Sequence, residues 1–312
     1  MANLILSFEV VAPLLILMLL GAFMLRVKLF DSDMVSKLNK AAFKVFIPVL
    51  IFNNVYTSNI EEIKNIRPAL FSAAVLSVAF IITMLIIPLI EKNPKKRGVM
   101  VQGIGRSNFV IYGLPLALSL CGEEVLGKVS VEVCIVIPII NVFSVIALEI
   151  FRGGRPNLKK VLKGVITNPL IVASLLGIAA LISGIKFPKV IEGALSDTGK
   201  IATPLSLIIL GASINFSAVH KNLRQLIIVL FGKLILIPLI GFTLAVIFNM
   251  PKEDIAVFIA VFASPTAVSS YTMAQQMDGD SDLAAQIVAF GTTFSILTVF
   301  LWVFVLKQLS LI

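Results

Sequence analysis

The sequence predicts an all-α membrane protein of about ten transmembrane helices, built as two inverted five-helix repeats with crossing broken helices 4 and 9. Three observations carry that prediction. Of 312 residues, 58% are hydrophobic and only 14% are charged, where a soluble domain runs near about 45–50% and about 25%. Too few polar residues remain to cover a surface in water. Apolar stretches long enough to cross about 30 Å of hydrocarbon recur along the whole chain. Two of these stretches carry clusters of Gly, Pro, Ser and Asn at matching places in the two halves.

The first stretch runs from Leu4 to Leu25. It is not expected to be a cleavable signal, because no Lys or Arg precedes it and Glu9 interrupts it. The second, Val35 to Tyr56, begins amphipathically with Lys37, Lys40 and Lys44. Ala69–Ile90, Gly98–Cys121 and Val129–Phe151 complete a first repeat over 1–151. A basic connector, Arg152 to Lys163, leads into the second repeat, 164–312. That repeat holds Gly164–Ser183, Val190–Phe216, Leu226–Phe248, Asp254–Met277 and Leu283–Leu306. No loop between them is long enough to form a soluble domain.

Charge orients these segments. If the N-terminus is outside, the inside loops hold twice the Lys and Arg of the outside loops. Positive charge stays cytoplasmic, so both termini are expected on the non-cytoplasmic side of the cell membrane. The net charge of +9 then reflects topology and contact with anionic headgroups of the bilayer. The basic residues are scattered over loops, so no nucleic-acid partner is expected. Cys121 and Cys134 sit in or near apolar helices, where free thiols are common. A single histidine, His220, excludes a histidine-based metal cluster. No Walker A, H-E-x-x-H or G-x-S-x-G pattern occurs. The chain is therefore expected to be neither an ATP-driven pump nor an enzyme, and to need no metal or cofactor.

The fourth stretch places Gly103, Gly105, Arg106, Ser107, Asn108, Gly113 and Pro115 inside what should be continuous helix. The ninth clusters Ser264, Pro265, Thr266, Ser269, Ser270 and Thr272 at mid-depth. Proline removes a donor and clashes with the preceding turn. In lipid such a break survives only where protein or water satisfies the freed groups. Ser264-Pro265 has the chemistry of a helix start, serine as N-cap and proline at the first helical position, and Asn108 is a comparable cap. From either point a half-helix of about 18 Å remains, so the positive ends of two half-helices are expected to converge near the midplane. Acidic loops follow both segments, Gly122-Glu123-Glu124 and Gly279 to Asp282. Five segments per half put the second copy upside down, and inverted repeats with discontinuous helices characterise secondary transporters.

Three strings carry a resemblance: Asn108–Pro115 (NFVIYGLP), Ala194–Ile214 (ALSDTGKIATPLSLIILGASI) and Ala263–Tyr271 (ASPTAVSSY). Thr167-Asn168-Pro169 fits as well. In this order and over essentially the whole length, the chain resembles the auxin efflux carrier family, as a bacterial member. The resemblance implies a two-domain, ten-helix fold, elevator-like alternating access and an anionic substrate. It also implies that Asn108 and Pro265 belong to the substrate region. The chain departs from the plant carriers at two substrate-facing positions, which match Ile51 and about Val136 here, both apolar. Their long cytoplasmic loop is replaced by Arg152–Lys163. Auxin is therefore an unsafe carry-over, and the small dicarboxylates linked with bacterial relatives, such as malate or malonate, are preferred.

The expected substrate cavity is surrounded by Asn108, Tyr112, Pro115, Ser264, Pro265, Thr266 and Ser269, with Asn141 beside them. Asn141, near Pro138, either lines the site or bonds between helices. Lys233 either pairs structurally or attracts an anion, and Arg106 is a further countercharge. Glu9 and Glu132 are ionisable at membrane depth, a functional default, unless they lie near enough to the outer face to be solvated. Asp278, Asp280 and Asp282 read as a solvated turn. The function expected is a secondary carrier of a small organic anion, coupled to a proton or sodium ion or running as a uniporter, with a homodimer open. The alternative is a channel, or a sensor built on a transporter scaffold.

Overall fold

The computed structural model describes residues 2–58, 66–122, 125–152, 158–215 and 218–312. Lys64, Glu123, Glu124, residues 153–157 of the connector, Phe216 and the Cys121 side chain lie outside the described residues. Every regular element among the described residues is helical.

α1 (Ala2–Arg26) and α10 (Lys189–Ser213) cross with their backbones in contact. A Cβ on Gly21 would stand 1.9 Å from the Ile208 carbonyl oxygen, and one on Gly211 would stand 1.8 Å from that of Met18. Small residues let membrane helices approach this closely, where packing rather than water expulsion drives association. α2 (Ser32–Ala41) starts on Asp31, whose side chain accepts from Met34 N at 2.7 Å. A π-helical turn, Ala42–Phe46, joins it to α3 (Ile47–Tyr56). α4 (Arg67–Ile90) exposes Leu70, Val78, Ile82, Leu85 and Leu89 while burying Ser72. A polar residue inward and leucines outward suit lipid, not water.

α5 (Pro94–Gly105), a π turn (Phe109–Gly113) and α6 (Leu114–Cys121) make up the fourth stretch, followed by α7 (Val125–Phe151). α8 (Leu158–Thr167) and α9 (Pro169–Ile182) meet at a 53° bend. There Asn168 accepts from Leu170 N at 2.9 Å, with Pro169 at the first helical position. α11 (Val219–Phe231) passes through a π turn (Gly232–Leu236) into α12 (Ile237–Ile247). α13 (Lys252–Phe258), a π turn (Ile259–Ala263) and α14 (Ser269–Gln276) form the ninth stretch. α15 (Ser281–Gln308), capped by Asp280, ends the chain.

Among the described residues, five helical spans are long and apolar enough to cross a membrane, or six if the bent α8–α9 pair counts as one. The other expected segments are helical but interrupted. The second carries Lys37, Lys40 and Lys44, the fourth and ninth are divided by breaks, and the first half of α10 carries Glu192, Asp197 and Lys200.

Polar contacts gather at two ends of the molecule. At one, Lys128 meets Asp254 at 2.6 Å and Arg67 reaches the Phe248 carbonyl at 3.3 Å. At the other, Arg152 bridges Asp278 at 2.7 Å and Glu149 at 3.0 Å. The hydrogen bond that Arg152 donates to Asp278 raises the Arg152 pKa above its ordinary value. Close by, Gln225 donates to Glu91 at 2.5 Å, Lys96 to Asn222 at 2.7 Å and Asp280 N to the Lys95 carbonyl at 3.1 Å. α4 and α7 run from the Arg67 end to the Glu91 end, whereas α11–α12 runs the opposite way.

Candidate substrate site at the crossing of two broken helices

The fourth and ninth stretches break at residues 106–108 and 264–268, and the breaks bond to each other. Asn108 N donates to the Pro265 carbonyl at 2.9 Å. Ser107 Oγ donates to the Val261 carbonyl at 2.5 Å and Thr266 Oγ1 to the Gly103 carbonyl at 2.6 Å. Backbone groups freed by each break are thus satisfied by the other, which is what lets irregular chain persist in an apolar interior. At Gly113 the two stretches touch closely, since a Cβ there would lie 2.4 Å from the Ala260 carbonyl oxygen.

The helix starts differ from the sequence expectation. Ser264 ends the preceding π turn, and its hydroxyl donates back to the Ala260 carbonyl at 2.5 Å. Pro265 lies in the extended break, and the second half begins only at Ser269, after Val268. Asn108 stands at the head of its π turn but makes no side-chain capping bond. The cap-plus-proline helix start read at Ser264-Pro265 is made instead at Asn168-Pro169 and Asn93-Pro94. At Ser264-Pro265 the cross-chain bond from Asn108 holds the segment extended, and that partner is remote in sequence.

A cavity of about 80 Å³ opens beside the crossing. Its polar lining comes from Arg106, Ser107, Asn108 and Ser269 at the breaks, Asn141 of α7, Asn54 of α3, and Thr203 and Ser206 of α10. Phe109, Val110, Ile111, Ala267 and Val268 also line it, so residues at the starts of both second halves border the space. No side chain caps either start. Arg106 is 3% exposed; its Nη2 donates to Ser269 Oγ at 2.7 Å and its Nη1 to Met273 Sδ at 2.7 Å, while Nε has no partner. No carboxylate lines the cavity among the described residues. The buried amides of Asn108 and Asn141 also keep unpartnered atoms.

Of the expected residues, Asn108, Asn141 and Ser269 share this cavity. Thr266 and Pro265 form the crossing behind it through the bonds given above, and Ser264 bonds within its own stretch. Tyr112 is fully buried and Pro115 is exposed, and neither lines the space. Ile51 does line it, so one apolar position that departs from the plant carriers faces the cavity. Sequence reasoning missed Asn54, Thr203 and Ser206 as lining residues. Their signal was polar residues within the second and seventh stretches, the latter inside the string Ala194–Ile214.

Outside the cavity, Lys233 is 1% exposed with its amine unpartnered. Glu9 is exposed on α1. Glu132, which could have been solvated near an outer face, is fully buried.

Apolar outer faces around a small polar cavity at the crossing of two broken helices define an integral membrane protein. The chain belongs to the membrane transport protein family, whose model matches residues 6–303, in keeping with the resemblance to the auxin efflux carriers. It is similar to an uncharacterized transporter of Methanocaldococcus jannaschii, 26% identical over 310 residues that cover 96% of this chain and 98% of the relative. An uncharacterized transporter of Methanothermobacter thermautotrophicus is 23% identical over 309 residues, with the same coverage. The protein is a membrane transporter of this family.

Proposed function

We propose that this transporter is a secondary carrier of a small organic anion, a dicarboxylate such as malate or malonate, working by elevator-type alternating access. The observation that carries the reading is Arg106. A guanidinium buried at a cavity with no carboxylate beside it needs a countercharge, and an anionic solute supplies one. The two half-helix starts add modest attraction, about 0.3–2 kcal/mol each. Charge-assisted hydrogen bonds contribute more, about 1.5–3 kcal/mol each. Asn108, Asn141 and Ser269 would then read the carboxylates, with the crossing through Pro265 and Thr266 holding their geometry. Size favours a small substrate: at about 10–15 Å³ per water-sized group, the cavity holds on the order of six such groups.

Ten membrane crossings in two inverted repeats, 1–151 and 164–312, form the architecture of this reading. The opposed directions of α4–α7 and α11–α12 support it, as do the two breaks in corresponding stretches. In the elevator the crossing helices would move against α1–α3 and α9–α10, with α3 and α10 closing one side of the cavity.

A thermal-shift panel of purified protein tests the substrate class, comparing malate and malonate with their amides and esters at one pH. The anions are expected to stabilise the protein and the neutral analogues to have no effect. Arg106→Gln should weaken anion binding by at least about tenfold, or 1.4 kcal/mol. Equal shifts from an acid and its amide would end the anion reading.

A further inference from the structure

Glu132 is a buried charge that the cavity does not use. It lies two turns into α7, fully buried. Ser72 of α4 donates to its Oε1 at 2.9 Å, and its Oε2 is buried without a partner. The charged groups that face it are few. Asp254 of α13 lies close enough to repel a carboxylate there. Lys128, one turn earlier on the same face of α7, is held by Asp254 at 2.6 Å and so is not available to neutralise Glu132. α3, α6 and α9 carry no charged residue, and Arg67 of α4 and Lys252 and Glu253 of α13 are exposed. The charges of α8 and the Lys95–Arg97 turn of α5 pack near the far end of α7, and Arg106 is bound at the crossing.

A carboxylate taken out of water without a countercharge becomes neutral instead of paying the cost of burying its charge. A metal ion would require several converging oxygens. Here one orphan oxygen is present, and the neighbouring carboxylate is already paired. We propose that Glu132 is the proton-carrying residue of the transport cycle, an inference that rests on the secondary-carrier reading. The Oε2–H bond forms with a proton taken from water at the Arg67 end and breaks when the proton is given up to water at the opposite end. The Lys128–Asp254 pair lies on that route, its side chains 31% and 3% exposed. Two helices link Glu132 to the cavity. α7 carries Asn141 nine residues on, about 14 Å along the axis at 1.5 Å per residue, and Asp254 begins the helix that leads into the ninth break.

Infrared difference spectroscopy of the full chain in nanodiscs, without substrate, tests the site. At neutral pH a protonated-carboxyl C=O band is expected, lost in Glu132→Gln. Ser72→Ala should move the band to higher wavenumber, because its carbonyl loses a hydrogen bond, and this keeps the test decisive should Glu132→Gln fail to fold. A spectrum without the band, a band that survives in Glu132→Gln, or one abolished by sodium at constant pH would each overturn the proposal. For coupling, proteoliposomes with the membrane potential clamped are given a proton gradient of about tenfold and the anion found by thermal shift. Wild type should accumulate it up to about tenfold, the ratio set by a one-to-one exchange of free energy, and Glu132→Gln should only equilibrate it. Equal accumulation in both would sink the coupling role. The infrared arm needs no substrate, so a missing band would remove Glu132 while leaving the anion-carrier reading intact.

Discussion

Single residues carry this protein's electrostatics, and their partners decide what each can do. Lys233, buried with no hydrogen-bond partner, spends stability on an uncompensated polar group, about 1–3 kcal/mol by the usual mutational scale. Lys233→Met is therefore expected to leave thermal stability unchanged or raise it by about that much. If anion binding also weakens in the thermal-shift panel, Lys233 contributes charge to the substrate; if affinity is unmoved, its role is structural. Glu91, at the aqueous edge of α4, behaves differently. Burial pushes its carboxyl up, but hydrogen bonds from Gln225 and the Asn93 N–H outweigh this and hold it below the usual carboxylate value. A depressed folded-state pKa contributes stability above the unfolded value, and that stability is lost as pH falls through the folded one. Glu91→Gln should thus lower the melting temperature at neutral pH, and the gap from wild type should close on acidification below about pH 4.

Helix pairs set the next scale, where two glycines of one helix make opposite predictions. On α10, a Cβ at Gly193 meets nothing within 4 Å, whereas one at Gly211 collides with the backbone of Met18. Gly193→Ala should stabilise by about 0.5–1 kcal/mol through helix propensity alone. Gly211→Ala should destabilise by about 1–3 kcal/mol or more, since backbone cannot rotate out of the way as a side chain can. Thermal unfolding of both variants decides it, and equal shifts would refute the close α1–α10 packing. The broken stretches follow the same logic. Gly103, Pro115 and Pro265 marked both breaks in the sequence, yet where each second half starts depends on the Asn108–Pro265 backbone bond, which joins segments about 150 residues apart.

For the whole molecule, the distribution of charge predicts orientation. The Glu91 end gathers Lys92, Lys95, Lys96, Arg97 and Arg152, whereas the Arg67 end holds Arg67, Lys128 and Lys252, and the more basic end should be cytoplasmic. In a cysteine-free background, Ser310→Cys should react with an impermeant thiol reagent applied outside, and Leu158→Cys should not. The reverse labelling would invert the topology and with it the side from which Glu132 meets its proton.

What the sequence determined by itself was the class of protein, the positions of the apolar segments, the two breaks and the family. All of these follow from local properties: segment hydropathy, proline and glycine chemistry, and short strings of residues. Asn108, Asn141 and Ser269 were legible as site candidates because each is polar inside an apolar stretch. The tertiary structure alone decided that Asn54, Thr203 and Ser206 join them, that Thr266 turns away to Gly103, and that Glu132 is sealed from water. The physical reason is that lipid and protein interior are equally apolar. Hydropathy places a residue at membrane depth without saying which helix it faces, and only the packing of one helix on another chooses its neighbours.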